Sequence, residues 1–161
     1  MRGTIICTMI SMFLNVSACN QAKTEQNVSA SIQSQKEDIM KNLISIVEIP
    51  TSDLSRAIRF YETILEISIE EAEMGETRMG VLPADGETVN VVLVNGSDYK
   101  PNSEGTVLYF NAGDDLQPIL EKIEQNGGQI IFPKTEISPE MGFFALFIDT
   151  EGNRLGLHSI H

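Results

Sequence analysis

Two stretches of the chain repeat the same order of hydrophobic patterns, and this repetition restricts the fold more than any other feature. In the first stretch, residues 43–49 (LISIVEI) form a β-branched run typical of a strand, which ends at Pro50. The helix start signal Thr51-Ser52-Asp53 follows, and strand patterns at 66–71, 78–82 and 89–94 complete a β-α-β-β-β unit. The apolar positions at helical spacing are Leu54, Ala57, Ile58, Tyr61 and Leu65.

The second stretch has the same order after the loop at 97–104. A strand pattern at 106–110 precedes a helical stripe, and Gly127-Gly128 is typical of a helix end. Each helix has a single apolar face, so the sequence predicts an α+β fold. Two β-α-β-β-β modules form a curved mixed sheet, with helices on its convex side and an open, ligand-binding concave side. The remaining patterns are the stripe Leu116, Ile119, Leu120 and Ile123 and strands at 129–132, 143–149 and 153–159.

The end of the chain carries the most specific motif, Asp149-Thr150-Glu151-Gly152-Asn153 followed by the strand pattern through Ser159. Together with earlier motifs in order, it resembles the vicinal oxygen chelate superfamily, which includes glyoxalase I, bleomycin-resistance proteins and extradiol dioxygenases. The resemblance implies a domain at 42–161, with module one at 42–96, a linker at 97–104 and module two at 105–161. The earlier motifs are Glu48-Ile49-Pro50, Asp53-Leu54, Phe60-Tyr61-Glu62, Gly127-Gly128 and Pro133-Lys134-Thr135.

Glu66 departs from this resemblance, because members commonly have a glycine after the first helix. A non-glycine residue at positive φ costs about 1 kcal/mol. A different turn is therefore expected at Glu66.

The resemblance also implies four metal-ligand positions, and the residues there are poor ligands. Spacing from the motifs places them at Ile46, Val92, Thr106 and Gly156. Only Thr106 has a side-chain oxygen, and a neutral hydroxyl binds transition metals weakly. The chain has two histidines, both at the C-terminus. We therefore predict no metal and no other cofactor.

Strand alternation from these positions predicts the lining of the cup, because residues two apart on a strand share a face. By the same rule, Tyr109 and Asn111 have the opposite parity from Thr106 and are expected on the helix-covered side or at the strand end. Lys134 is a candidate for binding a carboxylate or phosphate at the cup mouth, the alternative being a solvated loop lysine. The predicted ligand-lining residues are Asn90, Thr106, Leu108, Phe110 and Arg154.

Glu48 and His158 are the candidate catalytic residues. A carboxylate between Val47 and Ile49 is costly to bury unless it is paired or protonated. A Glu48–His158 pair would allow proton transfer next to a carbonyl. The alternatives are a Glu48 at the sheet rim and a His158 with an ordinary structural hydrogen bond.

The N-terminus has the pattern of an export signal. Residues 1–18 contain Arg2, an apolar run at 4–14 and the small-residue site Val16-Ser17-Ala18. With Cys19, this site resembles a bacterial lipobox, which implies a lipid on Cys19 and attachment to a membrane of the bacterial cell envelope, facing the periplasm or exterior. Ordinary secretion is the alternative. Residues 19–41 are polar and read as a flexible tether.

The charge balance limits the partners of this chain. Its formal net charge is −12, which makes nucleic acid a poor partner. Cys7 leaves with the signal and Cys19 is the lipid site, so the domain has no cysteine nucleophile or disulfide. We expect a small-molecule ligand, membrane attachment through the lipid, and either a monomer or a homodimer, since members of the family form their cups within one chain or across two.

Two main functions agree with these patterns. The first is a metal-independent glyoxalase-like protein that binds or converts a small organic molecule. The second is a non-catalytic module that sequesters a small molecule or antibiotic, as bleomycin-resistance proteins do. A third reading is an envelope interaction protein that has lost ligand binding. No nucleotide-binding P-loop, GxGxxG or GxSxG motif is present.

Overall fold

The computed structural model describes residues 43–86 and 88–161, which cover the domain unit Ile44–His161 apart from residue 87. The predicted signal peptide, Cys19 and the predicted tether lie outside the described residues. In the part of the chain that is described, neither helix is long and apolar enough to cross a membrane.

The first module is a four-stranded sheet with one helix. Its first strand, β1, pairs in parallel with its last strand, β4, and the other pairs are antiparallel, giving the order β1-β4-β3-β2. Asp53 caps the helix by accepting a hydrogen bond from the backbone N of Arg56, as the start signal predicts. The elements are β1 (Ile46–Pro50), α1 (Leu54–Leu65), β2 (Glu70–Met74), β3 (Thr77–Val81) and β4 (Asn90–Asn95).

The second module repeats this arrangement. Its first strand, β5, again pairs in parallel with its last, β8, and the order is β5-β8-β7-β6. The predicted α+β fold with two β-α-β-β-β modules is confirmed. The elements are β5 (Tyr109–Asn111), α2 (Gln117–Gln125), β6 (Gln129–Ser138), β7 (Gly142–Ile148) and β8 (Arg154–Ser159).

A single hydrophobic core joins both helices to one face of both sheets. In α1, Phe60 and Tyr61 are buried with their rings edge to face at 5.2 Å between centroids. Phe147 of β7 contacts Phe60 from the second sheet. The other face of each sheet is left open. The sheet residues of this core are Ile49, Leu93, Ala145, Phe147, Leu155 and Leu157.

The turn after α1 is the left-handed turn that a glycine would form, although the residue here is Glu66. Glu66 takes the left-handed conformation, with φ 56° and ψ 44°, that glycine adopts without strain. Its carboxylate lies 2.6 Å from Nζ of Lys122 in α2. The hydrogen bond and charge of Lys122 lower the pKa of Glu66. The expectation of a different turn is therefore wrong.

Two strands begin later than their patterns predict. Ile67 and Ile69, which fall in the predicted strand at 66–71, pack against the core in the connection before β2. Residues 106–108 precede β5, which begins only at Tyr109, after the positive φ of Gly105. In both places, apolar residues of an irregular connection that are at least partly buried give the sequence pattern of a strand.

Candidate functional site

The closing turn, residues 149–153, is organised by the buried carboxylate of Asp149. Its Oδ1 accepts hydrogen bonds from the backbone N of Glu151, Gly152 and Asn153 at 2.8–2.9 Å. Its Oδ2 accepts a 2.6 Å hydrogen bond from the hydroxyl of Tyr61 in α1. Burial, and then the charge of Asp149, raise the pKa of Tyr61 well above its ordinary value. The turn is therefore rigidly connected to the first module's helix.

Glu151 strengthens this connection at the start of α1. Its carboxylate accepts hydrogen bonds from the backbone N of Ser52 and Asp53 at 2.9 and 2.8 Å, and from Nε of Arg56 at 2.8 Å. The side chain is 0% exposed. Burial alone would raise the pKa of Glu151, but the hydrogen bonds from Arg56, Ser52 and Asp53 outweigh it and lower the pKa from 4.5 to about 2.

Asn153 completes the connection between the modules. Its Nδ2 donates to the carbonyl of Pro50 at the end of β1, at 2.8 Å. Its Oδ1 accepts from the backbone N of Asn102 at 3.1 Å. The sequence motif is thus a junction in which three polar side chains position β8 beside the first module.

On β8, the alternation predicted from sequence is observed. Leu155 and Leu157 lie in the core, so Arg154, Gly156 and His158 are on the open face. The same rule fails at β5. Residues 106–108 are irregular, so the alternation counted from Thr106 does not continue into the strand.

Tyr109, expected on the helix-covered side or at the strand end, is the first residue of β5 and lies on the open face over Gly156. The two residues are register partners, and a Cβ at position 156 would overlap the Tyr109 ring carbons. Phe110, predicted to line the cup, instead packs against Tyr61 in the core, and Leu108 also contacts the core. The prediction for Phe110 is therefore wrong, because alternation cannot be carried into a strand of only three residues, whereas Leu108 also lines a groove together with Thr106.

The open face of the second sheet carries an apolar cavity of about 380 Å³, which we call the aromatic pocket. The rings of Phe132 and Phe144 stack at 5.2 Å with an interplanar angle of 17°. The Tyr109 ring meets Phe144 at 6.4 Å and 60°. Sequence reasoning missed this cluster, although the Phe143-Phe144 pair on a strand signals one outward ring. The pocket is lined by Tyr109, Ile137, Phe144 and His158.

The structure does not bring the two candidate catalytic residues together. His158 Nε2 lies 2.6 Å from the carbonyl oxygen of Met141. Glu48 is exposed on β1 and accepts a 2.9 Å hydrogen bond from the hydroxyl of Tyr99. That hydrogen bond raises the pKa of Tyr99. Among the described hydrogen bonds none joins Glu48 to His158, so the predicted pair is not formed.

Lys134 is predicted to lie at the cup mouth, but the structure places its side chain elsewhere. Its Nζ is 2.7 Å from the carboxylate of Asp115, before α2, and 4.7 Å from the centroid of the Phe143 ring. The hydrogen bond from Lys134 lowers the pKa of Asp115. Phe143 packs against the core, so the contacts of Lys134 are on the helix-covered side of the sheet.

The other predicted lining residues lie away from the aromatic pocket. Thr106, Leu108, Arg154 and Glu48 line a second groove of about 240 Å³ near the junction of the modules. Arg154 donates from Nη2 to the carbonyl of Gly105, while its Nε is buried without a partner within the described residues. Asn90 is at the start of β4, with its amide 3.5 Å from the carbonyl of Ser45.

Residues 43–157 match the family model described as the Glyoxalase/Bleomycin resistance protein/Dioxygenase superfamily. The chain belongs to this superfamily. A glyoxylase-like domain-containing protein from Didymella fabae is 29% identical over 119 residues, which cover 71% of this chain and 91% of that protein.

Solved structures from the superfamily have the same fold. A glyoxylase/bleomycin resistance protein/dioxygenase domain from Frankia sp. EAN1pec gives a TM-score of 0.59 at 20% identity, covering 73% of this chain and 97% of that one. A glyoxalase I mutant from Zea mays gives 0.55 at 20% identity and covers 72% of this chain. This chain spans only 46% of the maize protein.

The metal positions implied by the superfamily resemblance have an unusual donor set. Ile46 and Val92 have no donor atom, and Gly156 is covered by the Tyr109 ring. Thr106 lies in the second groove, and its only side-chain ligand atom is a hydroxyl oxygen. Over residues 43–86 and 88–161, no three His, Cys, Asp or Glu side chains are close enough to hold a metal ion. These residues do not fit a divalent ion at the implied site.

Proposed function

We propose that this superfamily member binds a small organic molecule in the aromatic pocket. The observation that carries the proposal is the pocket itself, a mostly apolar cavity of about 380 Å³ lined by Tyr109, Ile137, Phe144 and His158, whose polar groups are the imidazole and the tyrosine hydroxyl. Ligand sites of small molecules are mostly apolar, with a few polar groups that orient the ligand. Tyr109 is 44% exposed, as are Ile137 at 43% and Phe132 at 42%, so the pocket belongs to an exposed apolar patch, and such patches mark binding sites.

We further propose that binding does not use a metal. The support is the donor set at Ile46, Val92, Thr106 and Gly156, together with the Tyr109 ring over Gly156. Titration with divalent metals and with a chelator tests this point. No change in the melting temperature or in ligand affinity is expected, whereas a metal-dependent gain in affinity would overturn it.

Binding without turnover is the function that the pocket supports best. Proton transfer by the pair predicted from sequence would need the carboxylate of Glu48 beside His158, to stabilise the charge that the imidazole gains as a base. His158 is oriented by a backbone carbonyl, and the carboxylate of Glu48 has a different partner. Sequestration therefore stands ahead of a lyase or isomerase reaction.

The binding site is tested by truncating its walls. Tyr109→Ala and Phe144→Ala are expected to weaken the binding of an aromatic probe such as 2-naphthol at least tenfold, measured by calorimetry. Tyr99→Ala is a matched control, because Tyr99 lies in the loop after β4 and its hydroxyl contacts Glu48 instead of the pocket. Equal losses in all three variants, or no loss in any, would contradict the assignment.

Attachment to the bacterial envelope through a lipid on Cys19 is also a proposal. It is supported by the apolar run at 4–14 followed by Val16-Ser17-Ala18-Cys19. Metabolic labelling with palmitate should mark the wild type and leave Cys19→Ser unlabelled. Label that remains on Cys19→Ser would overturn the proposal.

A further inference from the structure

We infer that the ligand of the aromatic pocket is a neutral, planar aromatic molecule that donates a hydrogen bond to Nδ1 of His158. The inference rests on the proposed binding function and adds the chemical class of the ligand. It depends on the tautomer of His158, on the rings around it and on the charge of the pocket.

The contact of His158 with Met141 determines the tautomer. A carbonyl oxygen only accepts hydrogen bonds, so Nε2, at 2.6 Å from the Met141 oxygen, must carry the proton. In the neutral imidazole, Nδ1 then holds a lone pair and acts as an acceptor. Within residues 43–86 and 88–161, no hydrogen bond to Nδ1 is formed. Since His158 lines the pocket, its Nδ1 is the acceptor that the imidazole has available for a ligand there.

The rings beside His158 determine the shape of the ligand. Phe144 is His158's register partner on β7, and its ring is flanked by Phe132 on one side and Tyr109 on the other. Rings at these separations gain from stacking or edge-to-face contact with a further ring. Because Gly156 has no side chain, the Tyr109 ring lies close to the sheet and leaves the volume above it open. A flat molecule of one or two rings suits this cavity.

The charge of the pocket excludes ions as preferred ligands. The four lining residues include no Asp, Glu, Lys or Arg. A carboxylate or ammonium group would lose its hydration without an ion pair in return. The net charge of −12 adds a further penalty for anions. A phenol, an indole or a similar neutral molecule can donate a hydrogen bond to Nδ1 without the desolvation cost of a charged group.

The test compares 2-naphthol with 2-methoxynaphthalene, in which a methyl group replaces the donor hydrogen. On the wild type, calorimetry is expected to show about tenfold tighter binding of 2-naphthol, which corresponds to one hydrogen bond of about 1.4 kcal/mol. His158→Asn places an amide oxygen near the position of Nδ1 and should keep most of this preference. His158→Leu should abolish it, and His161→Leu, at the exposed C-terminus, should not change it.

The two proposals fail in different ways. If both probes bind the wild type equally, the donor requirement is overturned while binding in the pocket stands. If His158→Leu keeps the preference, Nδ1 is not the acceptor. If neither probe perturbs the backbone amide NMR signals of the pocket residues in the wild type, both proposals are overturned. The wild-type comparison does not depend on whether a variant folds.

Discussion

At the residue scale, Glu151 shows how one side chain links two modules. It lies in the closing turn of the second module, yet every strong hydrogen bond that it accepts comes from Ser52, Asp53 or Arg56 of the first. The negative carboxylate also lies at the N-terminus of α1, where the helix dipole favours it. Its role is therefore structural, although a buried carboxylate with a shifted pKa is often a sign of catalysis.

Glu151→Gln is expected to lower the free energy of unfolding by about 2–3 kcal/mol. The amide keeps one acceptor oxygen but loses the charge that pairs with Arg56, and the half-exposed Arg56 recovers part of the loss through water. Urea unfolding measures the change. Glu71→Gln is the control, since Glu71 pairs with Arg78 at a similar 2.9 Å but in an exposed position, and should change stability by less than about 0.5 kcal/mol. Equal effects would contradict the role assigned to Glu151.

Gly156 and Tyr109 are expected to be energetically coupled. Gly156→Ala places a methyl group against the Tyr109 ring and should destabilise the protein by about 1–3 kcal/mol through overpacking. In a Tyr109→Ala background the same change should cost much less, giving a coupling energy of at least about 1 kcal/mol in a double-mutant cycle. Additive effects would mean that the ring moves away freely.

At the scale of secondary-structure elements, the ends of α1 explain how it is positioned. Asp53 and the carboxylate of Glu151 satisfy backbone N–H groups at its start. Glu66 ends it in the left-handed conformation and contacts Lys122 of α2. The start was readable from sequence because a capping residue acts locally. The end was not, because the partner of Glu66 is distant in sequence.

The strain at Glu66 is measurable by comparing Glu66→Gly with Glu66→Ala. Both variants lack the carboxylate, so they differ mainly in the cost of the left-handed conformation. Glu66→Gly is expected to be more stable than Glu66→Ala by about 1 kcal/mol. Thermal and urea unfolding test this difference. Equal stability of the two variants would show that the turn relaxes out of the left-handed conformation.

At the scale of the whole molecule, the closing turn and the shared core make the two modules one folding unit. Asp149 contacts Tyr61, Glu151 contacts the start of α1, and Asn153 contacts Pro50. The core includes side chains from both sheets and both helices. The open face of the second sheet remains free for a ligand because the core uses only the other face.

Acid is expected to weaken this unit through Glu151. Its pKa is about 2 in the folded protein and close to the ordinary 4.5 when unfolded, so the unfolded chain binds more protons between these values. Its contribution, at most about 3 kcal/mol, is present above about pH 4.5 and is lost as the pH falls towards 2. Unfolding of the wild type and Glu151→Gln at several pH values should show their difference shrinking in this window. A constant difference would contradict the shifted pKa.

The sequence by itself determined the paired modules, the start of α1 and the face of β8 that carries Arg154 and His158. These features depend on periodicity and on capping, which act between residues close in the chain. Only the tertiary structure decided that Tyr109 lies over Gly156, that Glu48 and His158 have separate partners, and that Lys134 belongs to the helix-covered side. Those outcomes depend on a three-residue strand and on contacts between distant segments, where alternation cannot be carried across an irregular connection.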